Sequence, residues 1–230
     1  MTHSDGHPTH PTPAEAAAAR RGPAWLDRYR GITAGTLGHL GSEGFLHWEI
    51  QALFRPVSMI GIALTVSCQP TDNAPLAEAS AGADPGTVLV VARHGDRRHA
   101  PWGGLMSRSA SNRGLAGAVI DGAATDWREI VELRFPVFAR NLSALTTRRE
   151  DLPGSVGEPV TVGGVLVRTG DVVIGDDDGV VAIPADRAEE ALAHALRFEA
   201  REHHLREGLK AGLSIAEARQ RAAAALAGEG

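Results

Sequence analysis

The stretch WGGLMSRSASNRGLAGAVIDGAATD at 102–126 passes from loop to helix to strand to helix within one short run. Two glycines, Gly103 and Gly104, open a helical segment that runs to about Arg113 and stops at Gly114. The apolar triplet Ala118, Val119, Ile120 follows as a short buried strand, and Asp126 starts the next helix, to Leu133. Strand–helix alternation of this kind predicts an α/β core with parallel pairings. Working outward, TVLVVA at 87–92 is a β-branched strand after the Pro85-Gly86 turn, a short helix runs from Asp72 to Ala81, and SMIGIALTVSC at 58–68 is a further strand. Trp25, Leu26, Tyr29, Ile32 and Leu37 fit one helical face across 24–40. Downstream, PVFAR at 136–140 is a strand, and PVTVGGVLVRTGDVVIGDDDGVVAIP at 159–184 is a string of short strands joined by Gly-Gly, Thr-Gly-Asp and Asp-Asp-Gly turns. A long Ala-rich helix from Asp186, broken at 208–212, closes this β-rich C-terminal half.

With 230 residues, 43% of them hydrophobic, the chain suits one core. The expected organisation is a disordered tail at 1–22, one domain at 23–212 and a helical extension at 213–230. A net charge of -5 argues against nucleic acid and anionic membrane surfaces as partners. Cys68 is the single cysteine, so no internal disulfide forms. No apolar run reaches the ~18 residues of a spanning helix, and the first residues lack a signal-peptide pattern, so a cytoplasmic protein is expected. His3, His7 and His10 in the tail read as scattered imidazoles rather than a metal site.

Two readings stand for each chemically interesting feature. The turn at Gly103-Gly104 either simply bends the chain or frees the backbone N–H groups of Gly104, Leu105 and Met106 to cradle a small carboxylate or phosphate. Asp126 either caps its helix in a capping box with Glu129, or stands as a carboxylate at the carboxyl edge of the sheet, where open α/β folds bind ligands and a divalent cation can be held. The loop at 92–102 gathers His94, Asp96, Arg97, Arg98 and His99, which form either a solvated loop or a source of general acid or base. On the last long helix, Ala191, Ala195, Phe198, Leu205 and Leu209 form an apolar stripe, and Glu202 interrupts it. Asp176, Asp177 and Asp178 read as turn chemistry rather than a cation cluster. No P-loop, zinc spacing or nucleophile elbow is present.

The 102–126 stretch, followed by FPVFAR and then by GDVVIGDDDGVVAIP, resembles the RraA-like family over roughly 56–212. That family holds the 4-hydroxy-4-methyl-2-oxoglutarate and 4-carboxy-4-hydroxy-2-oxoadipate aldolases and a regulator of ribonuclease activity. The segment ITAGTLGHLG is a looser match. The resemblance implies an αββα sandwich of the swivelling type, assembled as a homotrimer or homohexamer. It also implies a small 2-oxo acid whose carboxylate meets the amides of Gly104, Leu105 and Met106, and a magnesium or manganese ion bound directly by Asp126. In the same way it raises Asp96 as a catalytic residue and Glu202 as a metal-site residue that orders metal-bound water in a neighbouring subunit. Such a cation would act as a Lewis acid on the keto group during retro-aldol cleavage or oxaloacetate-type decarboxylation. Two positions depart from the aldolase pattern: Gly104 stands where an acid is expected, and Thr125, facing the substrate, stands where an arginine is expected. A hydroxyl does not replace a guanidinium fork, so Arg108, Arg113 or Arg93 would have to serve. The alternatives are a non-catalytic regulator or a family enzyme retuned to another carboxylic acid.

Overall fold

The computed structural model describes residues 24–39 and 41–228. The tail at 1–22, with His3, His7 and His10, lies outside them. The strands are β1 Gln51–Ala52, β2 Ser58–Ser67, β3 Thr87–Ala92, β4 Gly117–Ala124, β5 Val137–Leu142, β6 Ser155–Val156, β7 Val160–Val162, β8 Val165–Val167, β9 Val172–Asp176 and β10 Gly179–Ile183. The helices are α1 Ala34–Gly38, α2 Ala74–Gly82, α3 Gly104–Asn112, α4 Trp127–Leu133, α5 Ala188–Lys210 and α6 Ile215–Gly228.

Every residue of β3 is buried, as expected for a central parallel strand covered on both faces. β2, β3, β4 and β5 are parallel neighbours, β9 pairs antiparallel with β2, and β10 continues beyond it, giving the order β1-β5-β4-β3-β2-β9-β10. β7 and β8 form a separate hairpin whose turn, Gly163-Gly164, has positive φ at both glycines, the backbone that a two-residue hairpin loop demands.

The sheet is nearly closed. A Cβ on Gly175 of β9 would come within 2.7 Å of the Phe138 ring of β5, four places away in the sheet order. The enclosed core contains Met59, Val88, Val90, Val119, Phe138, Val162 and Val173. Outside β2–β5, Leu89, Val91, Ile120 and Trp102 pack beneath α2, α3 and α4. Outside β9 and β10, Ile174, Val181 and Ile183 pack against Leu37 and Leu192 of α1 and α5. The succession is helices, sheet, sheet, helices, so the α/β class and the αββα layering expected from the sequence are both found.

Three local expectations change. The single helical face at 24–40 is split: Ala24–Tyr29 is a 3-10 turn, and Gly31, at φ 86°, separates it from α1. β4 extends to Ala124 rather than ending at Ile120, because its distal residues are small enough to pack under the loop that follows β3. A Cβ on Gly122 would lie 2.8 Å from the Asp96 carbonyl and 3.0 Å from Arg93 Cγ. On α5 the buried seam runs through Ala188, Leu192, Ala195, Leu205 and Gly208, while Leu209 is 44% exposed. α6 folds back onto α5 through Ala218, Ala222 and Leu213 against Leu205, so the segment after 212 is the second arm of a helical hairpin. No helix among the described residues is long and apolar enough to cross a membrane.

Behind the sheet's carboxyl edge lies Asp72, fully buried. Its carboxylate accepts N–H groups from Ala74 (3.1 Å), Glu150 (2.8 Å) and Leu152 (3.1 Å), tying the start of α2 to the connection after β5. Burial alone would raise its pKa, but the backbone donors outweigh burial and hold it below the ordinary carboxylate value. Stability from a depressed carboxylate is complete above its unfolded pKa and is lost as pH falls through the folded value. Asp72→Ala is expected to lower Tm by about 5 °C at pH 7, given the strength of charge-assisted bonds. In pH-dependent thermal melts the gap to wild type should begin to narrow below about pH 3.9 and close only once the pH has fallen through the depressed native value.

Candidate active site

Trp102 is wholly buried, stacks on Phe135 (centroids 6.0 Å apart, planes 14° apart) and donates its indole N–H to Ser107 Oγ at 2.8 Å. Ser107 returns both its hydroxyl and its amide to the Gly103 carbonyl, at 3.0 Å each. These bonds fix the first turn of α3 by way of a side chain inside the helix, since Gly103 at the N-cap has none to offer. The Thr125 amide donates to the Trp102 carbonyl at 2.9 Å, so the chain entering α3 runs alongside the chain leaving β4.

Asp126 adopts a left-handed backbone (φ 53°, ψ 41°) and makes no side-chain cap on its own helix. Its Oδ2 instead accepts the Gly104 N–H at 3.0 Å. Glu129 does not reach back either: its Oε1 binds Arg108 Nε and Nη2 at 3.2 and 3.1 Å. The capping-box reading is therefore overturned. The left-handed bend turns the carboxylate away from the amides of α4 and toward α3.

A side chain at either turn position would displace the acid that lies against it. A Cβ on Gly103 would stand 2.5 Å from Asp126 Oδ2 and 2.8 Å from Thr125 Cγ2, and one on Gly104 would stand 2.0 Å from Glu129 Oε2.

One of the three amides expected to face a ligand is thus taken by Asp126. The amides of Leu105 and Met106 have no acceptor among the described residues, and they sit in the first turn of a helix, where partial positive charge favours an anion. Asp126 is exposed beside them, with the Thr125 hydroxyl 3.5 Å from its other oxygen. The available donors are hard oxygens. Among the described residues no group of three or more His, Cys, Asp and Glu side chains converges. That donor set fits magnesium or manganese, which is often held by one or two carboxylates and completed by water and substrate, and it does not fit zinc.

The remaining candidates lie apart from this pair. Asp96 accepts the amides of Arg98 (3.1 Å) and His99 (3.2 Å), and bonds the His99 ring and Arg93. Burial would raise its pKa, but these donors win and keep it below the ordinary value, so the carboxylate is ionised and committed to shaping its loop. His94 Nε2 lies 2.8 Å from Ser67 Oγ. Arg93 is wholly buried and spends its guanidinium on the Gln69, Pro70 and Asp72 carbonyls and Asp96. Arg113 bonds the Ala83 carbonyl from the far end of α3. Within one chain Glu202 pairs with Arg206 at 3.4 Å, and no bond joins it to Asp126. Asp176 accepts the Asp178 amide within the turn, while Asp176 and Asp177 also accept the distant backbone amides of Ala34 and Val57, so these acids tie segments together as well as shaping the turn. The sequence pattern assigns Glu129 only to the cap; glycine at 104, where an acid is expected, is the signal that leaves room for the Glu129 carboxylate.

The chain matches a known family. The model for RraA-like proteins, described as Aldolase/RraA, matches residues 33–182. The chain belongs to the RraA-like family. It is 34% identical over 151 residues to a putative 4-hydroxy-4-methyl-2-oxoglutarate aldolase of Halalkalibacterium halodurans, covering 66% of this chain and 71% of that one. An uncharacterised Pseudomonas syringae protein shares the fold at TM-score 0.75 and 26% identity, over 94% and 99% of the two chains. Streptomyces coelicolor RraAS2, described as an unusual member of the RNase ES inhibitor RraA family, gives TM-score 0.71 at 27% identity, over 81% and 99%. For this RraA-like chain, Gly103→Ala is expected to push Asp126 off the turn while leaving the circular dichroism unchanged. Loss of that bond should raise hydrogen exchange at the Gly104 amide roughly tenfold.

Proposed function

We propose that the protein is a divalent-cation-dependent lyase of small 2-oxo acids, cleaving a carbon–carbon bond by retro-aldol reaction or decarboxylation with release of pyruvate or a close relative. The observation that carries this reading is the Asp126 carboxylate held against the start of α3 beside the unpartnered amides of Leu105 and Met106. An anion receptor and an oxygen ligand for a hard cation lie side by side, as a 2-oxo acid requires. The family match and the named aldolase relative support the same class.

The substrate carboxylate is received by the amides of Leu105 and Met106, which orient the adjoining 2-oxo group toward Asp126. Magnesium or manganese, when bound, supplies Lewis-acid withdrawal of electron density at that group. In the retro-aldol case the C4 hydroxyl gives up its proton to solvent as it becomes the keto oxygen of the second product; in either case cleavage leaves the bonding electron pair on the pyruvyl fragment, and a proton delivered from solvent to C3 completes pyruvate. The other product is a 2-oxo acid in the retro-aldol case and carbon dioxide in the decarboxylation. Glu202 reaches such a site only from a second copy of the chain, so the proposal includes a homotrimer or homohexamer with a shared site.

Thr125 favours a second reading, a non-catalytic binding protein, because one hydroxyl donor stabilises developing charge less than a guanidinium would. The deciding measurement is pyruvate release from oxaloacetate and from 4-hydroxy-4-methyl-2-oxoglutarate, with magnesium, with manganese and with chelator. Turnover that needs the metal and falls at least about a hundredfold in Asp126→Ala is expected, the scale of losing a principal electrostatic group. Absence of turnover with both substrates favours the second reading, and turnover that survives Asp126→Ala removes Asp126 from the metal site.

A further inference from the structure

Resting on the reading of the α3 turn as the substrate site, we propose that Arg108 is the specificity-determining residue that binds the second carboxylate of a dicarboxylic 2-oxo acid. Three arginines were available from the sequence, and the structure separates them. Arg93 is buried with its guanidinium bound to three carbonyls and Asp96, and Arg113 faces Ala83 at the opposite end of α3. Arg108 lies four residues after Gly104, on the same helical face, with its side chain 43% exposed. Side chains on a helix lean toward its N-terminus, so Arg108 covers the turn that carries the free amides.

Its position is held by an unusual device. Glu129 Oε2 occupies the place where a side chain at position 104 would begin, only 2.0 Å from an ideal Cβ there. Through that opening the other oxygen, Oε1, reaches both Arg108 Nε and Nη2. Glycine at 104 thus admits Glu129, and Glu129 fixes Arg108. One edge of the guanidinium is used, while Nη1 has no acceptor among the described residues and is open to a ligand. Leu105 and Met106 amides would take the carboxylate next to the keto group, and Arg108, about one helical turn or roughly 6 Å along the axis, would take the distal one. Such a pairing supplies the cation that Thr125 does not.

The test is calorimetric binding, in manganese buffer, of 2-oxoglutarate and of 2-oxobutyrate, a dicarboxylic and a monocarboxylic 2-oxo acid. The wild-type protein is expected to prefer 2-oxoglutarate at least tenfold. Arg108→Ala should abolish that preference while 2-oxobutyrate affinity changes less than threefold, and Arg108→Lys should restore part of it. An unchanged preference in Arg108→Ala overturns the proposal, as does an equal loss for both acids, which is the signature of a merely structural ion pair. A wild-type protein with no preference for the diacid overturns it too. The outcome is independent of the lyase reading: an Arg108-dependent preference without pyruvate release sinks the lyase and keeps Arg108, and pyruvate release without such a preference does the reverse.

Discussion

The hydrogen bond from the Gly104 amide to Asp126 Oδ2 joins two strand-to-helix connections that are 22 residues apart in sequence. Each connection needs the other. Gly103 and Gly104 must lack side chains for the Asp126 and Glu129 carboxylates to come close, and Asp126 must bend into the left-handed region to face α3 rather than its own helix. A non-glycine residue at φ 53° carries backbone strain, and it persists here because the parallel bridge between Trp102 and Ala124 fixes the chain on both sides. What results is a positive helix start, a negative carboxylate and free amides on one exposed ledge.

The ledge is rigid because the layers beneath it are packed on both faces. Trp102 belongs to the core below α2, α3 and α4, and its stacking on Phe135 and bond to Ser107 transmit that packing to the turn. Neighbouring loops are held by charge rather than by apolar contact. Arg93 at the end of β3 satisfies the carbonyls of 69–72, Asp72 collects three amides from two segments, and Asp96 closes the loop that follows. Burying such groups costs desolvation, and each is tolerable because its partners are nearly complete, although Arg93 Nε has none among the described residues. A second network, Glu49 with Arg97 and Arg140 and Arg140 with Asp121, braces β4 and β5 from the other side. Asp121 also accepts the Gly163 amide and so anchors the β7–β8 hairpin.

In the proposed reading a cation would find one carboxylate, Asp126, and the substrate would find a hydroxyl rather than a guanidinium at Thr125. The first deficit is natural for magnesium, whose shell is largely water and substrate. For the second, Arg108 of α3, braced by Glu129, is the guanidinium proposed to serve.

Much of the fold is written locally in the sequence. The β-branched run of β3, the Gly-Gly turn between β7 and β8 and the order of strands and helices each follow from short-range periodicity and backbone preference, and the family likeness supplied the layering. The glycine turn and Asp126 were legible as a candidate pair for the same reason: their residue types restrict what the backbone can do. Tertiary structure alone decided how the acids are used. Asp126 and Glu129 match a capping box by spacing, yet both carboxylates cross to α3, because the choice between a local amide and one 22 residues away depends on packing that no short window contains. The same holds for β4, whose last residues Ala123 and Ala124 pair with Asn141 and Leu142 of β5 where Arg93 and the Asp96 loop close over Gly122, and for the three arginines, equal in sequence and distinguished only by which carbonyls and carboxylates surround each one.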